Sequence, residues 1–366
     1  MPLPALNPVT SALEKLKKIR PPIKLPGNGI LISVFANQLG QHLKSSGLYR
    51  SNREIGTFRG ELIAFEPMGH PAFRTFVEKF VSPAYVKEGG EKMQETTMSQ
   101  DDAMVTMASD QFLEHILEIK KVLACQLPVE GADGRIRLSC PGYDAATGYY
   151  TLPAPAPELD MGLDNAKAAL GDYFSEFLFL EKEQGLAVAV AALFNIYCGG
   201  LLPTGCLRPV FCVLANAEGS GKTMLVTAAL VPTLGYAPTG VKPGHEDELR
   251  KRITSLVRAK KPVLFLDNVK QVLDSATLEA FTSGPLWEDR LLGGNTSITA
   301  LHDVAVYISG NNLTLTPDLV RRSLIAELRL DSGKAEDRKA RAVGHAFDVR
   351  DLGSRRRRHC RVRWFR

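Results

Sequence analysis

Two kinds of hydrophobic pattern divide the chain. In its first 150 residues apolar positions come in short groups of mixed spacing. Phe73, Phe76, Val77, Phe80 and Val81 recur at helical intervals, which predicts a helix over 71–81. Alternation between Leu48 and Phe65, with Gly56 and Gly60, predicts a small β-hairpin. A short helical stretch, Ser11–Ile19, lies ahead of these, and a helix is expected around Asp110–Ala124. The polar, Gly-bearing run 86–102 reads as a loop. Short strands are expected around Arg135–Leu138 and Tyr149–Leu152, joined through PGYDAATG, whose Asp, Thr and Gly suit a turn.

Beyond residue 160 the pattern changes. Helices are predicted over 164–182, 186–199, 222–234, 245–259 and near 274–283. Between them stand solid apolar runs: PVFCVLA (209–215), PVLFLDN (262–268), VAVYISG (304–310) and LIAELRL (324–330). Runs without alternation are the mark of strands buried on both faces, so the expectation is an α/β fold: a mostly parallel sheet with helices on both faces. The Pro-rich stretch TLPAPAPELD (151–160) is the expected boundary. It divides a smaller α+β region, 1–160, from an α/β domain, 161–330, with a tail, 331–366.

Gly185 to Pro203 contains no charge in 19 residues, but it is Ala-rich, carries Asn195 and a Gly pair, and leads into a buried strand. It reads as a packed core helix, not a membrane span. The formal charge of the 366-residue chain is +5, yet residues 355–366 hold seven Arg and no acid, leaving net −2 for 1–354. The basic balance therefore belongs to the tail, where Arg355, Arg356, Arg357 and Arg358 are candidate phosphate contacts on DNA. Apolar residues are sparse from 331 on, and disorder is expected there. Six Cys without a C-x-x-C pair argue against a zinc site and for reduced thiols in a cytoplasmic protein. The first residues lack the apolar core of a signal peptide.

The sharpest chemical signal is EGSGKT, Glu218–Thr223, between a buried strand and a helix. Gly219 and Gly221 free the backbone to wrap phosphate oxygens, with Ser220 between them. Lys222 supplies a cation for the β and γ phosphates of ATP, and Thr223 a hydroxyl for Mg²⁺ at a helix N-terminus. The motif G-x-x-x-x-G-K-[ST] expects Gly where this chain has Asn216, a residue that tolerates left-handed backbone. Asp267, ending PVLFLD, is placed to hold the Mg²⁺ as a Walker B acid. The following Asn268 stands where many hydrolysing relatives carry Glu, and an amide orients water but takes no proton. Either Asp267 or an acid elsewhere, such as Glu218, then serves as the base, or turnover is slow. ISGNN closes the next strand, and Asn311, with Asn312 as alternate, is the candidate to meet the γ phosphate or the water. In TPDLVRRSL (316–324), Arg321 and Arg322 follow a helix-initiating Thr-Pro-Asp.

The order GSGKT, LFLDN, WEDRLLGG, SGNN and DLVRRSL resembles the ATPase domain of phage and mobile-element primase-helicases, similar to superfamily 3 helicases in the AAA+ class. The likeness is strongest over 209–330 and reaches weakly back to about residue 48. It implies a homo-oligomeric ring with ATP at subunit interfaces and single-stranded DNA in the pore. Lys222, Thr223, Asp267 and Asn311 would take the roles just given, and Arg322 would act on a neighbouring subunit's γ phosphate. It also implies a pore hairpin, for which Leu291–Asp303 is the matching segment; this holds no Lys or Arg, only His302 as a DNA candidate. No zinc-binding primase module or polymerase acid constellation stands in 1–160, so priming is not expected. The segment from Asp331 on does not look like the helical C-terminal region of such ATPases, as a truncated or frameshifted frame would produce. Three rivals remain open: an ATP-binding assembly switch with little hydrolysis, a monomeric P-loop phosphotransferase, and an inactive remnant.

Overall fold

The computed structural model describes residues 20–27, 29–58, 65–86, 93–153, 161–290 and 297–330. Contacts gather into two compact units, Met1–Ile119 and Lys120–Arg366. This division precedes the connector at 151–160. Residues 154–160 of that connector, the expected helix Ser11–Ile19 and the whole tail 331–366, with Arg355–Arg358, lie outside the described residues.

In the first unit the helix Ile32–Leu43 buries Phe35, Ala36, Leu39 and Leu43, positions that share one helical face. The predicted helix in the seventies spans His70–Val77 and buries Phe73 and Val77. Phe73 meets Phe112 edge-on at 5.5 Å. The predicted hairpin forms between Tyr49–Ser51 and Glu54–Phe58. Two expectations fail. The run read as a loop, 86–102, holds the short strand Met93–Glu95 and ends in the first residues of the helix Gln100–Ala108, started by Ser99, whose hydroxyl accepts the N–H of Asp102 at 3.0 Å. The helix expected to Ala124 stops at Leu113. Beyond it, already in the second unit, Lys121–Leu123 are buried one after another, a strand pattern, and pair parallel with Tyr149–Thr151.

The second unit contains α1 (Leu163–Phe174), α2 (Lys182–Tyr197), β1 (Val210–Ala215), α3 (Lys222–Leu234), α4 (Glu246–Arg258), β2 (Val263–Leu273), α5 (Ala276–Ser283), β3 (Leu286–Arg290), β4 (Ser297–Leu301), β5 (Ala305–Leu315), α6 (Pro317–Val320) and β6 (Ser323–Leu328). Four strands form a sheet in the order β2-β5-β1-β6, every pair parallel. β1 sits inside it and is sandwiched as its composition predicts. Phe211 and Val213 pack with α2 and α3 residues such as Ala192 and Leu230, while Val210 and Cys212 pack with Leu249, Ile253 and Val257 of α4. The uncharged segment is therefore mostly α2, a core helix; among the described residues no helix is long and apolar enough to cross a membrane.

Strands β2 and β5 run past their predicted ends to Leu273 and Leu315 and stay paired, with register shifts after Leu266 and Lys270. Asn268, Gln271 and Asn312 carry the positive φ angles that these bulges require. Apolar count alone stops the strands early because the extension is half polar. A hairpin stands ahead of β5, but its first strand begins five residues before the predicted Leu291: β3 pairs antiparallel with β4. Trp287 draws β3 inward, packing edge-on to Phe281 at 5.3 Å and donating to the Thr254 hydroxyl at 2.9 Å. The turn, 291–296, lies outside the described residues. The two short strands expected near 135–152 exist but are not partners: Ile136–Leu138 pairs with Pro128–Glu130, and Tyr149–Thr151 with Gly142–Asp144.

Candidate phosphate-binding site

At the carboxyl end of β1 the chain leaves the sheet through Asn216–Gly221 and re-enters a helix at Lys222. Ligands of parallel sheets bind at this end of the strands. Gly219 (φ 73°) and Gly221 (φ 94°) are both left-handed, a conformation that costs other residues the clash of a Cβ. Asn216 does not take a positive φ. Its amide instead grips the main chain after β6: Nδ2 donates to the Leu330 carbonyl and Oδ1 accepts the Leu330 N–H, each at 3.1 Å. A Gly at 216 has no such clamp.

Lys222 is 8% exposed, and its ammonium donates to the Ala217 carbonyl (3.3 Å), the Ser220 hydroxyl (3.2 Å) and Asn311 Oδ1. Burial pulls its pKa below the ordinary lysine value, and the charges of Asp267 and Glu218 oppose that pull. Asn311 thus faces the loop's lysine from within β5, four residues before the strand's end, while Asn312 is exposed and left-handed (φ 46°). Glu218 is exposed at the loop's outer side.

Asp267 lies on β2, beyond β5 from β1. Thr223 Oγ1 donates to its Oδ1 at 2.9 Å, and the Ser309 hydroxyl, on β5, donates to the same oxygen. The Asn268 N–H in turn donates to Ser309 Oγ at 3.1 Å, which ties the left-handed bulge to the carboxylate. A segment outside the sheet completes the wall. Val241 N–H donates to the Phe265 carbonyl and Asp267 N–H to the Val241 carbonyl (3.0 and 2.9 Å). A Cβ on Gly240 would come within 2.4 Å of Asp267 Cβ. A hydroxyl and a carboxylate already in contact at a helix start are hard oxygen donors of the kind Mg²⁺ takes, so these residues fit the ion. Between the loop and the β2–β5 extension lies a cavity of about 350 Å³, walled by Asn216, Glu218, Lys270, Gln271 and Asn312.

Two sequence candidates stand apart from this cluster. Arg322 precedes β6, and its carbonyl accepts the Val210 N–H (2.9 Å) at the amino end of β1. The length of β1, about 17 Å at 3.3 Å per residue, separates it from its own loop. Its guanidinium donates to the Asp318 carbonyl at 2.7 Å. His302 is 6% exposed, stacked on Phe281 with centroids 4.0 Å apart, and its Nε2 donates to the Gly284 carbonyl at 3.1 Å. It is a wall residue rather than a surface contact. Sequence reasoning missed Ser309 and Gly240. Ser309 was visible as the polar residue inside ISGNN; Gly240 had no signal, because its role depends on a segment brought to β2 by folding.

No known family model matches the chain, and no curated protein matches it. Among solved structures, the C-terminal region of NrS-1 in its apo A form is similar, with TM-score 0.43 and 11% identity over 84% of this chain. The match covers 65% of that chain, so this protein spans less than two thirds of its length.

Proposed function

We propose that the Glu218–Thr223 loop is a P-loop and that the protein is a helicase-like ATPase acting on DNA, with ATP·Mg²⁺ as its substrate. One observation carries the reading: the loop's lysine and threonine each contact a polar residue from a different neighbouring strand, Lys222 with Asn311 and Thr223 with Asp267. An accidental Gly-Ser turn has no reason to converge on both.

In this reading Lys222 exchanges its carbonyl and amide partners for phosphate oxygens, which its desolvated ammonium attracts strongly. Thr223 and Asp267 would hold Mg²⁺, which neutralises charge on the phosphates. Ser309 and Gly240 keep the Asp267 carboxylate facing Thr223. Asn311, released from Lys222, is positioned to orient a water. Asn268 cannot take that water's proton, and the exposed Glu218 at the cavity mouth is the candidate that can. Arg322 serves a neighbouring subunit in a ring, since its own loop is out of reach. A second reading, an ATP-dependent assembly switch with slow turnover, is favoured by Asn268 alone. ATPase rate with and without single-stranded DNA, measured beside molar mass with and without ATP, tests both. DNA-stimulated turnover in an oligomer supports the motor; ATP-driven assembly without turnover supports the switch; a monomer with neither refutes both.

A further inference from the structure

At the opposite end of the sheet, by the amino ends of β1, β2 and β5, a second cavity of about 40 Å³ is closed in by a different set of charges. Five cations line it, Lys120, Lys121, Arg208, Lys260 and Lys261, against one acid, Asp303. Asp303 is shared: Lys121 Nζ lies at 2.5 Å and Arg208 Nη2 at 3.3 Å from the same Oδ2. The Lys121 ammonium is complete, donating also to the carbonyls of Gly199 (2.7 Å) and Leu202 (2.9 Å). Arg208 is not. Its side chain is 5% exposed, Nη1 donates to the Asn195 carbonyl at 2.5 Å, and the buried Nε has no partner. An unmatched N–H on a buried guanidinium is rare because nothing replaces its lost hydration.

The backbone adds an independent observation. α4 ends in a Schellman turn, with the Lys260 N–H on the Val257 carbonyl and the Lys261 N–H on the Leu256 carbonyl, both 3.1 Å. Lys260 holds the left-handed position (φ 52°) that glycine normally fills. A lysine is thus kept in a strained conformation at the mouth of a cavity already rich in positive charge, the kind of strain that gathers at ligand sites.

We infer that this cavity is an oxyanion site that takes a phosphate group, with the ammonium groups of Lys120, Lys260 and Lys261 as its donors and the buried Arg208 guanidinium adding positive charge behind them. A volume of about 40 Å³ suits one tetrahedral anion and does not suit a nucleoside. The phosphate could be free or part of a nucleic-acid backbone, and the two sources are separable by experiment. The site is independent of the loop at Glu218–Thr223.

The test uses the full chain carrying Lys222→Ala, so that phosphate captured at the loop does not interfere. Inorganic phosphate is titrated calorimetrically into this protein and into the same protein with Lys260→Gly or Arg208→Gln. Saturable one-site binding is expected, weakened about tenfold or more by either added change. Lys260→Gly should melt no lower than its parent, since glycine suits the turn; it keeps the test valid if Arg208→Gln fails to fold. A single-stranded oligothymidylate that displaces the phosphate identifies a strand backbone as the source, and one that does not identifies free phosphate. Absence of binding up to about 10 mM, or binding that Lys260→Gly leaves unchanged, overturns the assignment.

Discussion

Gly240→Ala is a minimal perturbation aimed at Asp267 from outside the loop. The new methyl would stand 2.4 Å from Asp267 Cβ and 3.0 Å from its Cγ. Carbon atoms in contact sit at about 3.5–4.0 Å, so the aspartate or the 240–241 segment must retreat by about 1 Å. The two hydrogen bonds between Val241 and the Phe265–Asp267 stretch resist movement of the segment, so much of the shift falls on the carboxylate. Misplacement of about 1 Å at a reacting centre costs about 100-fold in rate, and overpacking of this size costs about 1–3 kcal/mol of stability. Lys222 and the glycines are untouched, so nucleotide binding without Mg²⁺ should stay near its original value. The assay is steady-state phosphate release across a Mg²⁺ titration, with Gly171→Ala as control, because a methyl there meets nothing within 4 Å. A variant that turns over within about twofold of the original, at the same Mg²⁺ midpoint, refutes the claim that Gly240 fixes the acid.

Asn216→Ala removes both bonds to Leu330 and should lower stability by about 1–2 kcal/mol in denaturant unfolding, while Asn216→Gly recovers none of it. Arg322→Ala should bind ATP normally but lose about 1000-fold in turnover, with partial rescue when mixed with Lys222→Ala protein at shared interfaces. The Lys121 and Arg208 charges outweigh the desolvation of Asp303 and hold its carboxyl below the ordinary 3.8. A depressed carboxyl contributes stability above about pH 4 that is lost as pH falls through its folded value, so Asp303→Asn should flatten acid unfolding below pH 4. Removing residues 331–366, with their arginine run, should abolish most salt-sensitive, sequence-independent DNA binding and leave ATP binding unchanged.

The parallel sheet was legible because β1 and the first halves of β2 and β5 are apolar runs, and the loop because Gly219, Gly221, Lys222 and Thr223 match a known motif spacing between a strand and a helix. The lengths of β2 and β5 were not, since their outer halves are bulged and partly polar, and only pairing with each other keeps them extended. The strand Lys121–Leu123 was misread as helix because a buried lysine breaks the apolar signal; its place depends on Asp303 and the carbonyls after α2, which only folding supplies. In the candidate site, Lys222, Thr223, Asp267 and Asn311 were singled out by their motifs, and folding brings Lys222 to Asn311 and Thr223 to Asp267. Ser309 lies inside the ISGNN motif, but its contact with Asp267 depends on the pairing of β5 with β2, and Gly240 acts by having no side chain at all, which no local pattern reveals.

The most direct measurement of the central claim is calorimetric titration of ATP with Mg²⁺ into the full chain and into Lys222→Ala. One saturable site is expected in the first and a loss of affinity of at least about tenfold in the second, with unchanged circular dichroism. Equal affinity in the two proteins would contradict it.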